Sequence, residues 1–533
     1  MGFLSTNSSR ALASVHRISL ALARRHFSYS SLLANSAASF CSQRPQQTIV
    51  SGQPLHETRP AMLKSGELTP GITAMEYFER RLALSLSMEN DSIAIVPGNT
   101  VKYASGAVFY EFQQDTQLYY LTGWNEPDSL AILEKNDSNA NDDSVVFHLL
   151  VPPKNEYIEK WEGHRTGVIG AKDIFNADES TSITEIQTYL DLLISRNKHI
   201  YCDYPATRLK SSFLGNFFGS SLASNKIKKS KNACETIDDL ISKFRSSKKI
   251  HTLSPLVDKL RAIKSPSEIK LMRQAGKISG RAFNQAYHKR FKNERTLASF
   301  LEYKFILGGC SGNAYIPVVA GGPNALSIHY TRNDDVLYDN EMVLVDAAGQ
   351  LGGYRSDISR TWPVNGRFTG FQGELYEVVL NVNRECIKLC SESNNLSLSD
   401  IHRTSSDMLY KTLSKLTGFQ NLTRNEFTNK IYPHSIGHNL GLDVHDVPNY
   451  SSSRILRENQ VVTIEPGIYI PDDPSYPSYA RNVGIRIEDN VVVGKSDYTV
   501  LTIEAVKEIA DIENIAKNGV TTVYEDDVIN IRG

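Results

Sequence analysis

Apolar runs and helical spacing alternate along the first half of the chain. Residues 73–88 predict a helix. Four short apolar runs predict strands: SIAIV at 92–96, AVFYEF at 107–112, SLAIL at 129–133 and VVFHLLVP at 145–152. The acidic, Asn-rich piece at 136–143 predicts a surface loop between them. This half of the chain is therefore predicted to be a mixed α/β domain.

The pattern changes near residue 264. Ser265-Pro266-Ser267-Glu268 predicts a capping box with Pro at the first helical position. The apolar positions that follow repeat at intervals of four, three and four, which predicts a long helix opening a second domain. They are Leu271, Ala275, Ile278 and Ala282. Beyond them, apolar runs at 342–349 and 461–470 predict strands, and the amphipathic segment 374–389 lies between them. This half is predicted to be α/β or α+β.

Length and composition agree with two domains. A chain of 533 residues is too long for one ordinary core. No run of about 18 apolar residues occurs, so no membrane-spanning helix is predicted. The 58 Lys and Arg nearly cancel the 59 Asp and Glu, which argues against a nucleic acid partner. The basic run KIKKSK at 226–231 is predicted to be a surface loop, and a nuclear import signal is the alternative.

The first 60 residues have the composition of a mitochondrial presequence. Residues 1–56 contain no Asp, Glu or Lys, while Arg, Ser and Ala are frequent. Ala11, Val15, Ile18 and Leu22 recur at helical spacing, and arginines occupy another side of the same helix. The recurring Arg and His exclude the uninterrupted apolar stretch of a secretory signal. The interpretation is a mitochondrial leader, with a disordered tail as the alternative.

Two aspartates flank a Gly-rich turn in residues 341–360. An apolar strand carries Asp346, the turn reverses the chain, and the return strand is predicted to carry Asp357. A hairpin of this kind brings carboxylates eleven residues apart close together. Aspartates around a turn are more often hydrogen-bonding loop residues, so this pair alone does not establish a metal site.

Histidines and glutamates downstream strengthen the metal hypothesis. His434, His438 and His445 occur within twelve residues and alternate with glycines, which packing alone explains poorly. Glu465 ends an apolar run just before Pro466-Gly467, and Glu488 is predicted to lie within an apolar strand. A carboxylate in such a place should be paired, protonated or bound to a metal.

Four carboxylates and one imidazole form a hard, oxygen-rich set of ligands. Such a set suits two divalent ions, and Mn²⁺ fits it best, although cobalt, zinc or iron could occupy the same ligands. Two ions about 3.5 to 4 Å apart can share a hydroxide and lower the pKa of that water until it attacks at neutral pH. Hydrolysis of an amide bond is the predicted chemistry.

Five motifs carry a family resemblance. LVDAAG, YRSDISRTWPVNGRF, SIGHNLGLDVHD, TIEPGIYI and GIRIEDN resemble, in order and spacing, the ligand motifs of the methionine aminopeptidase/aminopeptidase P/prolidase family. YEFQQDTQLYYLTGWNEPDSLAIL and EKWEGHRTG resemble the N-terminal domain of aminopeptidase P. The resemblance implies a creatinase-like N-terminal domain at 61–255 and a pita-bread catalytic domain at 256–520. Residues 1–60 are then the presequence and linker, and 521–533 a C-terminal tail.

The resemblance also implies a role for each site residue. Asp346 would chelate one metal, Asp357 and Glu488 would bridge both, and His438 with Glu465 would complete the second. His329 and His445 match the two histidines that face the substrate. His434 matches a histidine of the cleft, and Tyr469 and Arg486 lie where partners of the ligands are expected.

The implied activity is removal of one N-terminal residue from peptides or proteins. The leader favours the mitochondrial, intermediate-cleaving branch, which trims a bulky residue such as Tyr, Leu or Phe from imported proteins after presequence cleavage. Xaa-Pro aminopeptidase and prolidase are the alternatives, followed by metal-free creatinase and a non-catalytic pita-bread protein. The expected location is the mitochondrial matrix or the matrix face of the inner membrane. A homodimer is expected by family resemblance alone.

Overall fold

The structure, a computed structural model, describes residues 49–135, 145–203 and 233–518. Most of the predicted leader, the acidic loop at 136–143, the basic run at 226–231 and the tail at 521–533 lie outside the described residues. Among the residues it does describe, no helix is long and apolar enough to cross a membrane.

A six-stranded mixed sheet organises the N-terminal half. In sheet order its strands are Lys249–His251, His199–Tyr201, Ser92–Pro97, Leu130–Lys135, Val145–Val151 and Glu179–Ser182. The middle three strands are antiparallel to one another, and the outer strands join them in parallel. Successive side chains point to opposite faces, so Ile93 and Ile95 enter one core while Ala94 and Val96 enter the other.

Helices cover both faces of this sheet. The helices of this half are Ala74–Leu86, Thr116–Thr122, Glu156–Glu162, Gly167–Asp173, Ile186–Arg196 and Ala233–Phe244. The first follows the prediction closely and begins after Thr73, whose side chain accepts a hydrogen bond from the Glu76 amide. The predicted strands 92–96, 129–133 and 145–152 are present, and each end lies within two residues of the expected one.

The predicted strand at 107–112 is largely wrong. Only Val108–Phe109 is extended in a ladder, where it pairs with Tyr103–Ser105. The side chains of Val108, Phe109 and Tyr110 are each about 60 % exposed, at 61 %, 60 % and 61 %. The run is apolar without being buried, and for this reason the hydrophobic pattern misassigned it. A further two-stranded ribbon joins Glu67–Thr69 to Ile72–Thr73.

The long helix that opens the second half spans Pro266–Tyr287. Its capping box is complete, because the Ser265 side chain accepts from the Glu268 amide and the Glu268 side chain accepts from the Ser265 amide. Leu271, Ala275 and Ala282 are buried, as their spacing predicted. The preceding helix, Ser254–Ala262, follows the last strand of the N-terminal sheet. The proposed boundary at residues 255 and 256 stays a prediction.

Antiparallel strands form the centre of the second half. A central sheet contains Val318–Gly321, Met342–Asp346 and Ser359–Pro363, and a second contains Val461–Ile464, Asp489–Val493 and Tyr498–Val500. Two small ladders complete it, Gly467–Ile470 with Val483–Arg486, and Gly312–Asn313 with Gly349–Leu351 and Tyr354–Arg355. The predicted strand 461–470 is thus two strands, broken at Glu465-Pro466 because Pro lacks the amide that a ladder requires.

Helices enclose these strands and share one large core with them. Beyond the opening helix they are Glu294–Leu307, Gly370–Lys388, Leu398–Leu413, Arg424–Glu426 and Ile509–Lys517. The predicted amphipathic segment 374–389 lies in the helix Gly370–Lys388 and ends at its C-cap, Leu389.

Buried polar contacts join the two halves. Arg80, on the first helix, donates to the hydroxyl of Tyr354 at 3.2 Å, and Tyr354 donates to Glu268 at 2.8 Å. Thr116 donates to Asp443 at 2.8 Å, and Arg261 donates to the same carboxylate at 2.8 Å. These contacts place the N-terminal half directly over the segment that carries His445.

Candidate metal centre

Asp346 and Asp357 converge, although not through the simple hairpin expected. Asp346 ends the strand Met342–Asp346, which pairs with Ser359–Pro363 so that Asp346 lies opposite Ser359. Asp357 comes two residues before that return strand, so the prediction that the strand carries it was wrong. The small ladder of Gly349–Leu351 with Tyr354–Arg355 takes up the chain between the two aspartates.

Tyr315 links the two aspartates and was not predicted from the sequence. Its hydroxyl lies 2.6 Å from Oδ1 of Asp346 and 2.5 Å from Oδ1 of Asp357. Burial and then the charges of the two aspartates raise the pKa of Tyr315 well above its ordinary value, so it stays a proton donor. No sequence signal marks this residue, because it lies outside regular structure and its partners are 31 and 42 positions away.

His438 is held with one ring nitrogen free to bind a ligand. A Cβ on the preceding Gly437 would lie 1.9 Å from the carbonyl oxygen of Thr463, so only glycine permits this close approach. The ring Nδ1 of His438 donates to the carbonyl of Asn439 at 3.0 Å, which leaves Nε2 unprotonated in the neutral ring. Nε2 lies 3.5 Å from Oδ2 of Asp357 and 3.6 Å from Glu465.

Glu488 is buried and only half satisfied. It lies in the two-residue break between Val483–Arg486 and Asp489–Val493, so the prediction that it sits within a strand was wrong. The hydroxyl of Ser359 donates to its Oε2 at 2.7 Å, while Oε1 has no hydrogen-bond partner among the described residues. A buried carboxylate oxygen without a donor requires a proton or a cation.

The carboxylates of the cluster suppress one another's ionisation. Burial, then the charge of Asp357, raises the pKa of Asp346 to about 6. Burial raises the pKa of Glu465 to about 7, and burial with the charge of Asp357 raises that of Glu488 well above its ordinary value. Burial acts the same way on Asp357, but the hydrogen bond and charge of His438 outweigh it and lower its pKa. The four carboxylates therefore exceed the positive charge that His438 and Arg486 supply.

The donor set fits divalent cations. One ligand atom from each of Asp357, His438 and Glu488 lies within 4.8 Å of the others. Asp346 joins this group through Tyr315, and Glu465 joins it through His438. Carboxylate oxygens with one imidazole are ligands for Mn²⁺ and similar ions, and cations would satisfy Oε1 of Glu488. The structure thus brings together all five predicted ligands, and their metal-binding role stays a prediction.

A chain of hydrogen bonds runs from the cluster through Arg486 and Tyr469 to His434. Arg486 is buried and donates to Oδ2 of Asp346 at 2.8 Å and to the Tyr469 hydroxyl at 2.7 Å. Tyr469 lies 3.0 Å from Nε2 of His434, whose Nδ1 contacts the Ser435 carbonyl at 2.8 Å. Burial, then the charge of Arg486, lowers the pKa of His434 to about 3. This histidine is therefore neutral and accepts the proton of Tyr469.

His445 and His329 lie at the open side of the cluster. The ring of His445 packs edge-on against that of His438 at a centroid distance of 4.5 Å, and His445 itself is exposed. Desolvation, then the charge of His438, lowers the pKa of His445. His329 is exposed on a turn after residues 322–326, and its charge contributes to the low pKa of both His434 and His445. Among the described residues, the structure shows no direct contact between His329 and the five proposed ligands.

Comparison with known proteins identifies the family. Residues 270–495 match the profile of Metallopeptidase family M24, and residues 77–201 match that of the Aminopeptidase P N-terminal domain. Intermediate cleaving peptidase 55 of Saccharomyces cerevisiae is 53 % identical over 96 % of this chain and 98 % of its own length. The chain belongs to the aminopeptidase P branch of metallopeptidase family M24. It is a metallo-aminopeptidase.

One further relative and one solved structure agree with that assignment. Intermediate cleaving peptidase 55, mitochondrial, of Arabidopsis thaliana is 34 % identical over 88 % of each chain. The crystal structure of Icp55 from Saccharomyces cerevisiae superposes with a TM-score of 0.75 at 52 % identity, covering 86 % of this chain and all (100 %) of that one. The predicted fold, an aminopeptidase P N-terminal domain followed by an M24 catalytic domain, is confirmed.

Proposed function

We propose that this metallo-aminopeptidase removes a single bulky N-terminal residue, such as Tyr, Leu or Phe, from imported mitochondrial proteins after presequence cleavage. The observation that carries the proposal is the match to Intermediate cleaving peptidase 55 over 96 % of the chain. The acid-free composition of residues 1–56 supports a mitochondrial location. The matrix, or the matrix face of the inner membrane, is the proposed site of action, with a nuclear location as the alternative.

The five converging side chains are the proposed metal ligands. Asp346 would bind one ion, Asp357 and Glu488 would bridge two, and His438 with Glu465 would hold the second. Mn²⁺ is the proposed metal because the set is rich in oxygen. When bound, such ions lower the pKa of a coordinated water and polarise a carbonyl.

The surrounding residues act on the substrate and on the ligands. Arg486 fixes Asp346 by its hydrogen bond and supplies positive charge beneath the cluster. His445 and His329, on the open side, would orient the scissile amide and donate to the oxygen that gains negative charge. His434 is held neutral and hydrogen-bonded to Tyr469, so it would line the pocket for the first substrate residue. A homodimer is also proposed, on family resemblance alone.

Two assays test this function. Deleting the gene and sequencing mitochondrial N-termini by mass spectrometry should reveal proteins that begin one residue earlier, with Tyr, Leu or Phe exposed. Unchanged N-termini would rule out the processing role. In vitro, matched peptides beginning Tyr-Ala and Tyr-Pro separate the proposal from an Xaa-Pro aminopeptidase, which would cleave only the second. Cleavage of dipeptides without cleavage of longer peptides would instead indicate a prolidase.

A further inference from the structure

Two adjoining cavities lead from the ligand cluster into the boundary between the two halves of the chain. The first, of about 790 Å³, has Tyr315 and His445 in its wall and so opens on the site. The second, of about 660 Å³, is lined on one side by N-terminal residues such as Asn99. Arg355 and Asp443 belong to the walls of both, so the two cavities form one groove.

The groove is larger than a single residue needs. Pockets that enclose a whole small ligand typically measure about 300–1,000 Å³. Each of the two cavities falls in that range by itself. In the proposed aminopeptidase, the scissile bond and the residues beside it would occupy the part next to Tyr315 and His445. The remainder has room for the polypeptide that stays behind after the first residue is removed.

Arg355 is fixed in the wall of this groove, and only part of its guanidinium group is hydrogen-bonded. Its amide donates to the carbonyl of Gly441 at 2.9 Å, and its Nε donates to the carbonyl of Leu442 at 2.9 Å. Within the described residues, its two terminal nitrogens have no hydrogen-bond partner, and no carboxylate lies within ion-pair distance. The side chain is therefore half-buried, preorganised and ready to donate.

The position of Arg355 indicates which part of a substrate it reaches. It precedes Asp357, a proposed metal ligand, by two residues, so their Cα atoms are at most about 7 Å apart. An extended peptide advances about 3.3 Å per residue. A guanidinium in the shared wall of the two cavities would thus lie beside the chain within a few residues of the scissile bond.

We propose that Arg355 binds the leaving polypeptide by donating to its main-chain carbonyl groups, and this rests on the proposed aminopeptidase function. Carbonyls fit better than a terminal or side-chain carboxylate, because Asp443 and Glu111 share the same walls and would repel a negative group. Recognition of the main chain is independent of sequence. It suits an enzyme whose substrates share a first residue and little else.

The test uses peptides that share their first two residues, Tyr-Ala, and grow by one alanine at a time from a dipeptide to an octapeptide, all with amidated C-termini. In the wild-type enzyme kcat/KM should rise with length and then level off. Arg355→Met should lose about tenfold in kcat/KM on the octapeptide, mostly through KM, as expected for one lost hydrogen bond to a charged group. The loss should shrink as the peptide shortens. Arg355→Lys keeps the positive charge but loses the planar guanidinium, so its kcat/KM on the octapeptide should lie between those of wild type and Arg355→Met.

Three controls make the result decisive. Arg403→Met changes an exposed arginine, 73 % accessible, that pairs with Asp400 away from the groove, and it should match wild type at every length. Metal content and melting temperature of Arg355→Met should equal those of wild type, which shows that the variant is folded and loaded. Failure of the wild-type enzyme to cleave any of the peptides would refute the proposed function itself.

Two results would overturn the proposal while leaving that function intact. An equal loss on every peptide length would mean that Arg355 acts through the loop carrying His445, which it holds at Gly441 and Leu442. No loss on the octapeptide would mean that Arg355 does not contact the leaving chain at all.

Discussion

Glu488 and Asp489 are neighbours in the chain and both are buried, yet they belong to two different electrostatic regions. Asp489 accepts hydrogen bonds from Arg360 at 2.8 Å, Lys507 at 2.6 Å and Thr502 at 2.8 Å. These contacts overcome burial and lower its pKa to about 2. Glu488 faces other carboxylates instead, keeps one oxygen without a partner, and has a pKa raised well above its ordinary value.

This difference separates a carboxylate whose charge the protein itself neutralises from a proposed metal ligand. The cations around Asp489 are supplied by the protein, so the region is complete when the chain folds. In the ligand cluster, Arg486 donates to Asp346. Burial lowers the pKa of His438, but its hydrogen bond to Asp357 and the charge of Glu465 outweigh burial and raise that pKa to about 9, so this imidazole also supplies positive charge in the metal-free site. The remaining charge must be balanced by protons or by metal ions. Sequence position alone does not distinguish the two residues.

The largest expected effect is on folding, and it distinguishes the two residues when each carboxylate is replaced by its amide. Asp489→Asn should lower the free energy of unfolding by about 3–5 kcal/mol, because it leaves Arg360 and Lys507 buried without their counter-charge. Glu488→Gln in metal-free protein should change it by less than about 1 kcal/mol, because the lost group was already unsatisfied. Urea unfolding in the presence of a chelator measures both. Equal destabilisation by the two variants would contradict the comparison.

Removing the hydroxyl shared by two proposed ligands should have a smaller effect. Tyr315→Phe loses the hydrogen bonds to Asp346 and Asp357, and such partners of ligands usually contribute about 10–100-fold to metal affinity or activity. Metal titration and turnover of the same preparation give both values. Tyr410→Phe is the control, because its hydroxyl contacts the Leu422 carbonyl in the helical layer. Loss of the same size in both variants would show a general packing effect instead.

The smallest effect is an acid sensitivity in the N-terminal half. Burial disfavours a charge on Glu134, but His148, whose Nε2 lies 3.4 Å away, and hydrogen bonds from Arg196 and Asn197 lower its pKa to about 2. Its folded pKa is thus below the unfolded value of about 4.3, so its stabilisation is complete above that pH and is lost as the pH falls towards 2. Glu134→Gln should cost about 1–3 kcal/mol at pH 6.

That cost should shrink as the pH is lowered from 6 to 3, which unfolding curves measured at several pH values would show. A difference between wild type and Glu134→Gln that stays constant with pH would mean that the charge on Glu134 is not what stabilises this sheet.

Local signals predicted much of the fold. The capping box at Ser265 and the spacing of Leu271, Ala275 and Ala282 located the long helix because both are properties of neighbouring residues. The run at 107–112 failed for the opposite reason. Its apolar side chains are exposed, and hydrophobicity in a sequence does not report whether anything packs against it.

The site was predictable from motifs only in part. The five proposed ligands lie in motifs, and the structure gathers all five. Tyr315 has no motif, and its importance depends on contacts with Asp346 and Asp357 that exist only after folding. The surroundings of Glu488 were also misjudged, because a two-residue break between two short apolar strands has the same hydrophobic pattern as one continuous strand.

The most direct test of the central claim, that this carboxylate cluster holds the metals needed for catalysis, is Asp357→Ala. Asp357 lies within reach of both His438 and Glu488, so its loss should disrupt both proposed metal positions. We expect metal content, measured by elemental analysis, to fall. We also expect aminopeptidase turnover to fall by more than about 100-fold, which exceeds the loss usually caused by replacing a residue that only hydrogen-bonds to a metal ligand. Turnover that survives the loss of metal would contradict the account.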